Sequence, residues 1–269
     1  MKMCDLSNFS IYLSKMRQTF FDKSWFMSII PPDITTIVDF GCADNSFCEF
    51  LQSNFPNYDY IGIENNQDFV KILKKKNQLC FTSLSELAKQ DLINPETTLL
   101  VLNSVIHEVY SYWDIDLFWQ EVQKLNPKYI AFRDMYIRNC GEYGSCIERD
   151  FENAIKNNFM EEQYKSFIKE WGPLIDGYTA GHFLLKYFYK ENWDRELKEN
   201  YIPYHYRELH TKIRKAGYNI TFERFYGLPY LKNKWNNDFN CINHPQLHDF
   251  VNNITTHLKL FLVKESSKL

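Results

Sequence analysis

Apolar and polar positions along this chain follow two rhythms, one of amphipathic helices and one of short buried strands. In residues 7–30, Phe9, Tyr12, Leu13, Met16, Phe20 and Phe21 recur at helical spacing, and Pro31 and Pro32 end the segment. Residues 35–40 form a β-branched and apolar run stopped by Gly41. Residues 44–55 turn helical through Phe47, Phe50 and Leu51, and residues 58–63 read as a second strand. A helix through Phe69, Val70 and Leu73 follows, with Lys74 to Lys76 at its end, where the helix dipole favours cations. Next come a weak strand at 79–82, a short helix at 84–89 and a fully apolar strand at 98–102. Residues 112–125 have helical spacing, and 129–132 make a fifth strand.

Strands that alternate with helices over short connections predict a parallel sheet with right-handed crossovers. After Arg133 the rhythm changes. Residues 138–204 hold helical patterns (151–167 and 182–200) without a convincing strand, and they are too long for a plain loop. Sheet rhythm resumes with a helix at 206–216 closed by Gly217, a strand at 220–226 and a last strand at 257–263. The expected fold is therefore α/β: a Rossmann-like, mostly parallel sheet, its last strand antiparallel, with a helical insertion after strand five. The expected divisions are 1–137 for the N-terminal helix and five strands, 138–205 for the insertion or lid, and 206–269 for the closing helix and strand pair.

In open parallel sheets, ligands bind beyond the carboxyl ends of the strands, where strand order reverses. The first strand ends Val38-Asp39-Phe40-Gly41-Cys42-Ala43-Asp44-Asn45, and Gly41 permits a tight turn. The second ends Ile61-Gly62-Ile63-Glu64-Asn65, which puts a carboxylate where it can accept both hydroxyls of a ribose. Acids after both strands make a nucleoside-binding layout. A dinucleotide would want GxGxxG to bring its pyrophosphate against the helix N-terminus, but here only the first glycine exists. Beside Asp39 and Asp44 a cationic sulfonium carrying an ammonium group fits better than an anionic pyrophosphate, so a nicotinamide-dependent oxidoreductase is disfavoured.

These same segments carry a resemblance. Residues 38–44 resemble motif I of class I S-adenosylmethionine-dependent methyltransferases, and Tyr60-Ile61-Gly62-Ile63-Glu64 resembles their acidic second motif. Residues 102–108 (Leu-Asn-Ser-Val-Ile-His-Glu) resemble the fourth-strand motif and residues 129–135 the fifth strand. Within the superfamily the chain is similar to a poorly characterised bacterial and phage group with a DFGCADG loop and an IRDM strand end. It departs at Asn45, where that group has glycine, although Asn tolerates left-handed backbone angles. The resemblance implies S-adenosylmethionine as cofactor. Asp39 and the backbone of Gly41, Cys42 and Ala43 would hold its amino-acid end, and Glu64 and Asn65 its ribose. Ser83 and Leu84 would lie near adenine, and Asn103 and Ser104 beside the methionine moiety.

For catalysis the candidates are His107, Arg133 and Asp134. An imidazole titrates near neutral pH and can deprotonate an acceptor, or His107 merely shapes its loop. Arg133 and Asp134 read as an ion pair or as substrate contacts. The fourth strand is followed neither by (D/N)PP(Y/F) nor by a Pro-Cys nucleophile, which excludes covalent cytosine methylation through that cysteine. Methyl transfer to O or N of a small molecule fits better, because the sulfonium is already activated and orientation carries the rate.

Composition narrows the alternatives. Net charge is −3, with 17% aromatic residues, so bulk electrostatic coating of nucleic acid is excluded. The basic group Lys212, Arg214, Lys215, Arg224, Lys232 and Lys234 keeps an RNA or DNA methyltransferase as the alternative, and a non-catalytic cofactor-binding module as a third reading. Seven cysteines without CxxC or Cys/His ligand spacing suggest reduced thiols and no metal site. The N-terminal stretch lacks a secretory pattern and no segment has the length of a bilayer span, so a soluble cytoplasmic protein is expected, with small-molecule partners and no membrane.

Overall fold

Thr98–Asn103, the most apolar strand of the sequence, is the central strand of a seven-stranded sheet. The structure, a computed structural model, describes residues 14, 17–76, 78–138, 144–156 and 160–265. The strands are β1 (Thr36–Phe40), β2 (Asp59–Ile63), β3 (Cys80–Phe81), β4 (Thr98–Asn103), β5 (Tyr129–Arg138), β6 (Tyr218–Tyr226) and β7 (Thr255–Lys264). Their order is β3-β2-β1-β4-β5-β7-β6, and β1 to β5 pair in parallel. β7 runs the other way: Lys264 N–H bonds the Lys128 carbonyl at one end, and the Thr255 hydroxyl bonds the Arg138 carbonyl at the other. The mostly parallel, Rossmann-like sheet with a reversed last strand is therefore present. Strand order reverses between β1 and β4, so a ligand crevice belongs beyond their carboxyl ends.

Local chemistry explains most boundaries. After α1 (Phe20–Lys23) and α2 (Ser46–Asn54), α3 (Gln67–Lys75) is capped by Asn66, whose side chain accepts from Asp68 N at 3.0 Å. Ser83 likewise caps α4 (Leu84–Ala88). Three expectations are corrected and one stretch is added. Of the helix expected over 7–30, Ser14, Arg17 and α1 are helical, and a 3-10 turn at Trp25–Ser28 follows, parted from α1 at Ser24, whose hydroxyl donates to the Phe21 carbonyl; residues 7–13, 15 and 16 lie outside the described residues. The helix expected over 112–125 is two, α5 (Ile106–Tyr112) and α6 (Ile115–Leu125). The break falls at Trp113, which is extended, and Asp114 recaps the chain by accepting from Asp116 N and Leu117 N. β5 continues past its apolar run because Arg133 and Asp134, 2% and 0% exposed, have polar partners in Asp22 and His107. Residues 227–254, for which no element was expected, contain two helices that each begin with proline at the first position.

The chain divides into two compact units. One comprises Met135–Ile202 and Phe225–Leu258; the other holds the described residues through Asp134, Pro203–Arg224 and those from Lys259 on. In the first, α7 (Gly144–Ile155), α8 (Glu161–Trp171), α9 (Gly177–Lys186), α10 (Trp193–Lys198), α12 (Pro229–Asp238) and α13 (Pro245–Asn253) surround an aromatic core. Phe183 touches the rings of Phe151, Tyr164, Phe167, Tyr187 and Phe239 there. Gly181 has no room for a side chain, since Ile254 and Ile137 come within 2.8 Å of where its Cβ would stand. In the second unit the β1–β4 pair packs Ile37, Leu99 and Val101 with Phe26, Phe47 and Leu51, and α11 (Tyr206–Lys215) precedes β6. Among the described residues no helix is long and apolar enough to cross a membrane.

Candidate functional site

The end of β1 is shaped by three residues with left-handed backbone: Gly41 (φ 78°), Ala43 (φ 49°) and Asn45 (φ 65°). Gly41 is required twice over, by its φ and because a Cβ would stand 3.0 Å from Val105 Cγ2. Asn45 takes the left-handed position unaided by glycine, as an Asx side chain can. Gly41 N and Cys42 N both donate to the Ile63 carbonyl, at 2.9 and 3.1 Å. Ala43 N donates to Glu64 Oε2 at 3.0 Å, and Asn66 N to Glu64 Oε1 at 2.8 Å. The amides of 41–43 are thus committed to the end of β2, and the loop is left with its carbonyl and Cα surface for a ligand. Burial raises the Glu64 carboxyl above the usual range, against these backbone donors.

Beside this loop lie two buried charges. Asp39 is 4% exposed, and among the described residues its carboxylate accepts only the Cys48 thiol, at 3.8 Å. Burial pushes it up to about 7, with Lys23 pulling the other way. Lys23, on α1, is 6% exposed, and its ammonium makes no hydrogen bond among the described residues. Burial and then the Arg133 charge lower it to about 8, while Asp39, Asp134 and Asp22 oppose. A desolvated carboxylate and a desolvated ammonium, neither hydrogen-bonded to its full capacity, match the two ends of an α-amino acid. Lys23 was missed from sequence. The available signal was two charges, Asp22 and Lys23, set among Phe20, Phe21, Trp25 and Phe26.

At the ends of β4 and β5 the catalytic candidates separate. Asp134 Oδ1 lies 2.7 Å from His107 Nδ1, and its Oδ2 accepts His107 N–H at 3.0 Å. A carboxylate accepting at both oxygens makes Nδ1 a protonated nitrogen. His107 stands in the first turn of α5, not in a loop, and is 4% exposed. Arg133 turns to Asp22, its Nε and Nη2 reaching Oδ2 at 2.9 and 2.8 Å; Lys259 reaches Oδ1 at 2.6 Å. Arg133 also donates from Nη1 to the Ser104 hydroxyl, and Ser104, with φ 54°, donates its N–H to the Arg133 carbonyl. Arg133 and Asp134 thus each reach a different partner, Asp22 and His107.

The other expected contacts are spread along the same strand ends. Asn103 donates to the Lys23 carbonyl at 3.4 Å, and its Oδ1 is buried without a partner; so is Asn45 Oδ1. Ser83 is occupied as the α4 cap, Leu84 is packed in the core, and Asn65 is exposed. Taken together, Asp39, Lys23, Glu64 and the two unsatisfied amide oxygens fit an amino-acid-bearing nucleoside; the donor set is organic and polar.

No protein-family model matches this chain, and no curated protein does either. Solved structures do. A SAM dependent methyltransferase from Archaeoglobus fulgidus is 13% identical with a TM-score of 0.51, covering 95% of this chain and 99% of its own. PKMT2 from Rickettsia typhi (16% identity, TM-score 0.48) covers 87% of this chain, which spans about half of that protein's length, 50%. The plantazolicin methyltransferase BpumL in complex with SAH (11% identity, TM-score 0.48) covers 94% of this chain and 87% of its own. At that similarity the last two carry no argument. The first shows that this chain has the sheet and helix arrangement of a structure described as a methyltransferase.

Proposed function

We propose that the chain is an S-adenosylmethionine-dependent methyltransferase acting on an oxygen or nitrogen of a small-molecule acceptor. The observation that carries this reading is the His107–Asp134 pair at the ends of β4 and β5, on the same sheet edge as Asp39 and Glu64. In this reading Lys23 and Asp39 hold the carboxylate and ammonium of the cofactor, and Glu64 its ribose hydroxyls. When bound, the cofactor supplies an activated methyl group on a sulfonium. The protein's share is orientation and the acceptor's proton. His107 Nε2 takes that proton, and Asp134 is a positioning residue that fixes the Nδ1–H tautomer and steadies the imidazolium. A candidate acceptor wall is Tyr110, one helical turn from His107 on α5 and tilted against Tyr204 at 5.0 Å.

The basic group gives the nucleic-acid alternative little support. Lys212 pairs with Asp116, Lys234 with Asp238, and Lys232 donates to the Asn252 carbonyl. Calorimetry with S-adenosylmethionine, then turnover to S-adenosylhomocysteine with a panel of phenols, alcohols and amines, tests the proposal. We expect His107→Ala to keep cofactor binding and lose about 100-fold or more in rate. Asp134→Asn should shift the acid limb of the pH–rate profile, which a purely structural residue would not do. Absence of cofactor binding by the wild type sinks the proposal.

A further inference from the structure

Asp39 on β1, Gly62 on β2 and Cys80 on β3 stand abreast across three parallel strands. Residues abreast in parallel strands direct their side chains to one face. Gly62 has none, and the Cys42 thiol fills its place: a Cβ on Gly62 would stand 2.5 Å from Cys42 Sγ. Neighbouring strands are about 4.8 Å apart, so the Cys42 thiol lies over the strand next to Cys80. Both thiols are free; Cys42 is 4% exposed and Cys80 half-buried. Cys80 Sγ lies 3.6 Å from the Phe81 carbonyl. Cys48, the other thiol on this face, is held by Asp39.

We infer that Cys42 and Cys80 form a thiol oxidation site, at which a hydroperoxide converts the pair into a disulfide tying the 41–45 loop to β3. Cys80, the more accessible sulfur, attacks the peroxide oxygen. The O–O bond breaks, one water or alcohol leaves, and Cys80 carries a sulfenic acid. Cys42 then attacks that sulfur and the S–O bond breaks. A second water leaves with the Cys42 proton, so two thiols and one peroxide give one disulfide. Cys80 is suited to go first because the Cys42 thiol donates to it and holds it below the ordinary range. The consequence for a ligand follows from position, since Cys42 belongs to the loop whose next residue, Ala43, is fastened to Glu64. Moving the Cys42 sulfur off Gly62 towards β3 pulls on that fastening. This consequence rests on the proposed cofactor reading; the cross-link itself does not.

The full chain is treated with tert-butyl hydroperoxide, alkylated under denaturing conditions and peptide-mapped by mass spectrometry. We expect a peptide joining Cys42 to Cys80, removed by dithiothreitol and absent in Cys80→Ser. A Cys42–Cys48 link, or Cys80 carried to sulfinic acid with no link, overturns the inference. Calorimetry of the oxidised and reduced protein with S-adenosylmethionine should show binding weakened about tenfold and restored by reductant. Equal affinity in both forms overturns the regulatory consequence. If the reduced protein binds no cofactor, the functional proposal fails instead, and the mapped link still decides the oxidation site.

Discussion

Lys23 and Lys186 are both buried beside carboxylates, and they differ in where their hydrogen bonds go. Lys186, on α9, is 0% exposed and donates to the carbonyls of Glu196 and Glu199. It also lies over the rings of Tyr201 and Trp171, at 4.5 and 5.5 Å. Its neighbour Glu196 takes the Tyr201 hydroxyl. Burial lowers Lys186 to about 8 and raises Glu196 to about 7. Lys23 and Asp39 are perturbed in the same directions and by the same cause. Yet the Lys23 ammonium has no hydrogen bond among the described residues, and the Asp39 carboxylate has one thiol. A perturbed ionisation therefore does not mark a site by itself. The unfilled hydrogen-bonding capacity around it does, because burying such groups is costly unless something later satisfies them.

Substitutions sharpen this contrast. The largest effect should come from Lys186→Met, which leaves two carbonyls and a carboxylate buried without their cation. We expect a loss of about 3–5 kcal/mol in denaturant unfolding, with cofactor affinity in the surviving fold unchanged. Asp39→Asn should do the reverse. Cofactor affinity measured by calorimetry falls about 30-fold or more, while the cofactor-free protein melts no lower than the wild type at pH 8. The sign follows from linkage: Asp39 binds its proton more tightly folded than unfolded, so its ionised form costs stability above about 7, and that cost fades as pH falls towards 3.8. Ligand binding needs the carboxylate, so wild-type affinity should decline below about pH 7 and binding should release a proton there. The asparagine variant should show neither. Lys23→Met is the smallest change, about tenfold in affinity. It should abolish any preference for the cofactor over an analogue lacking the carboxylate. Retention of that preference would break the comparison.

Much of the sheet was legible because buried parallel strands are written as unbroken apolar runs, as in Thr98–Asn103. The bend at 41–45 was legible too, from one glycine and one Asx residue. The pairing of His107 with Asp134 was not. The run Ile106-His107-Glu108-Val109 offers too few apolar repeats to announce a helix, and its partner Asp134 is distant in sequence. Residues 227–254 were silent because their polar residues, Asn236, Asn237 and Asn240 among them, outnumber the apolar anchors Leu231, Trp235 and Phe239.

By itself the sequence determined the strand rhythm, the position of the bend and the two acids at the ends of β1 and β2, since each depends on residues close together along the chain. Tertiary structure decided which charges are matched within the fold and which are held open. Lys23 and Lys186 are the same side chain, both buried. Only the fold brings the carbonyls of Glu196 and Glu199 to one ammonium and withholds such partners from the other, because hydrogen-bond satisfaction depends on distances that no local pattern encodes.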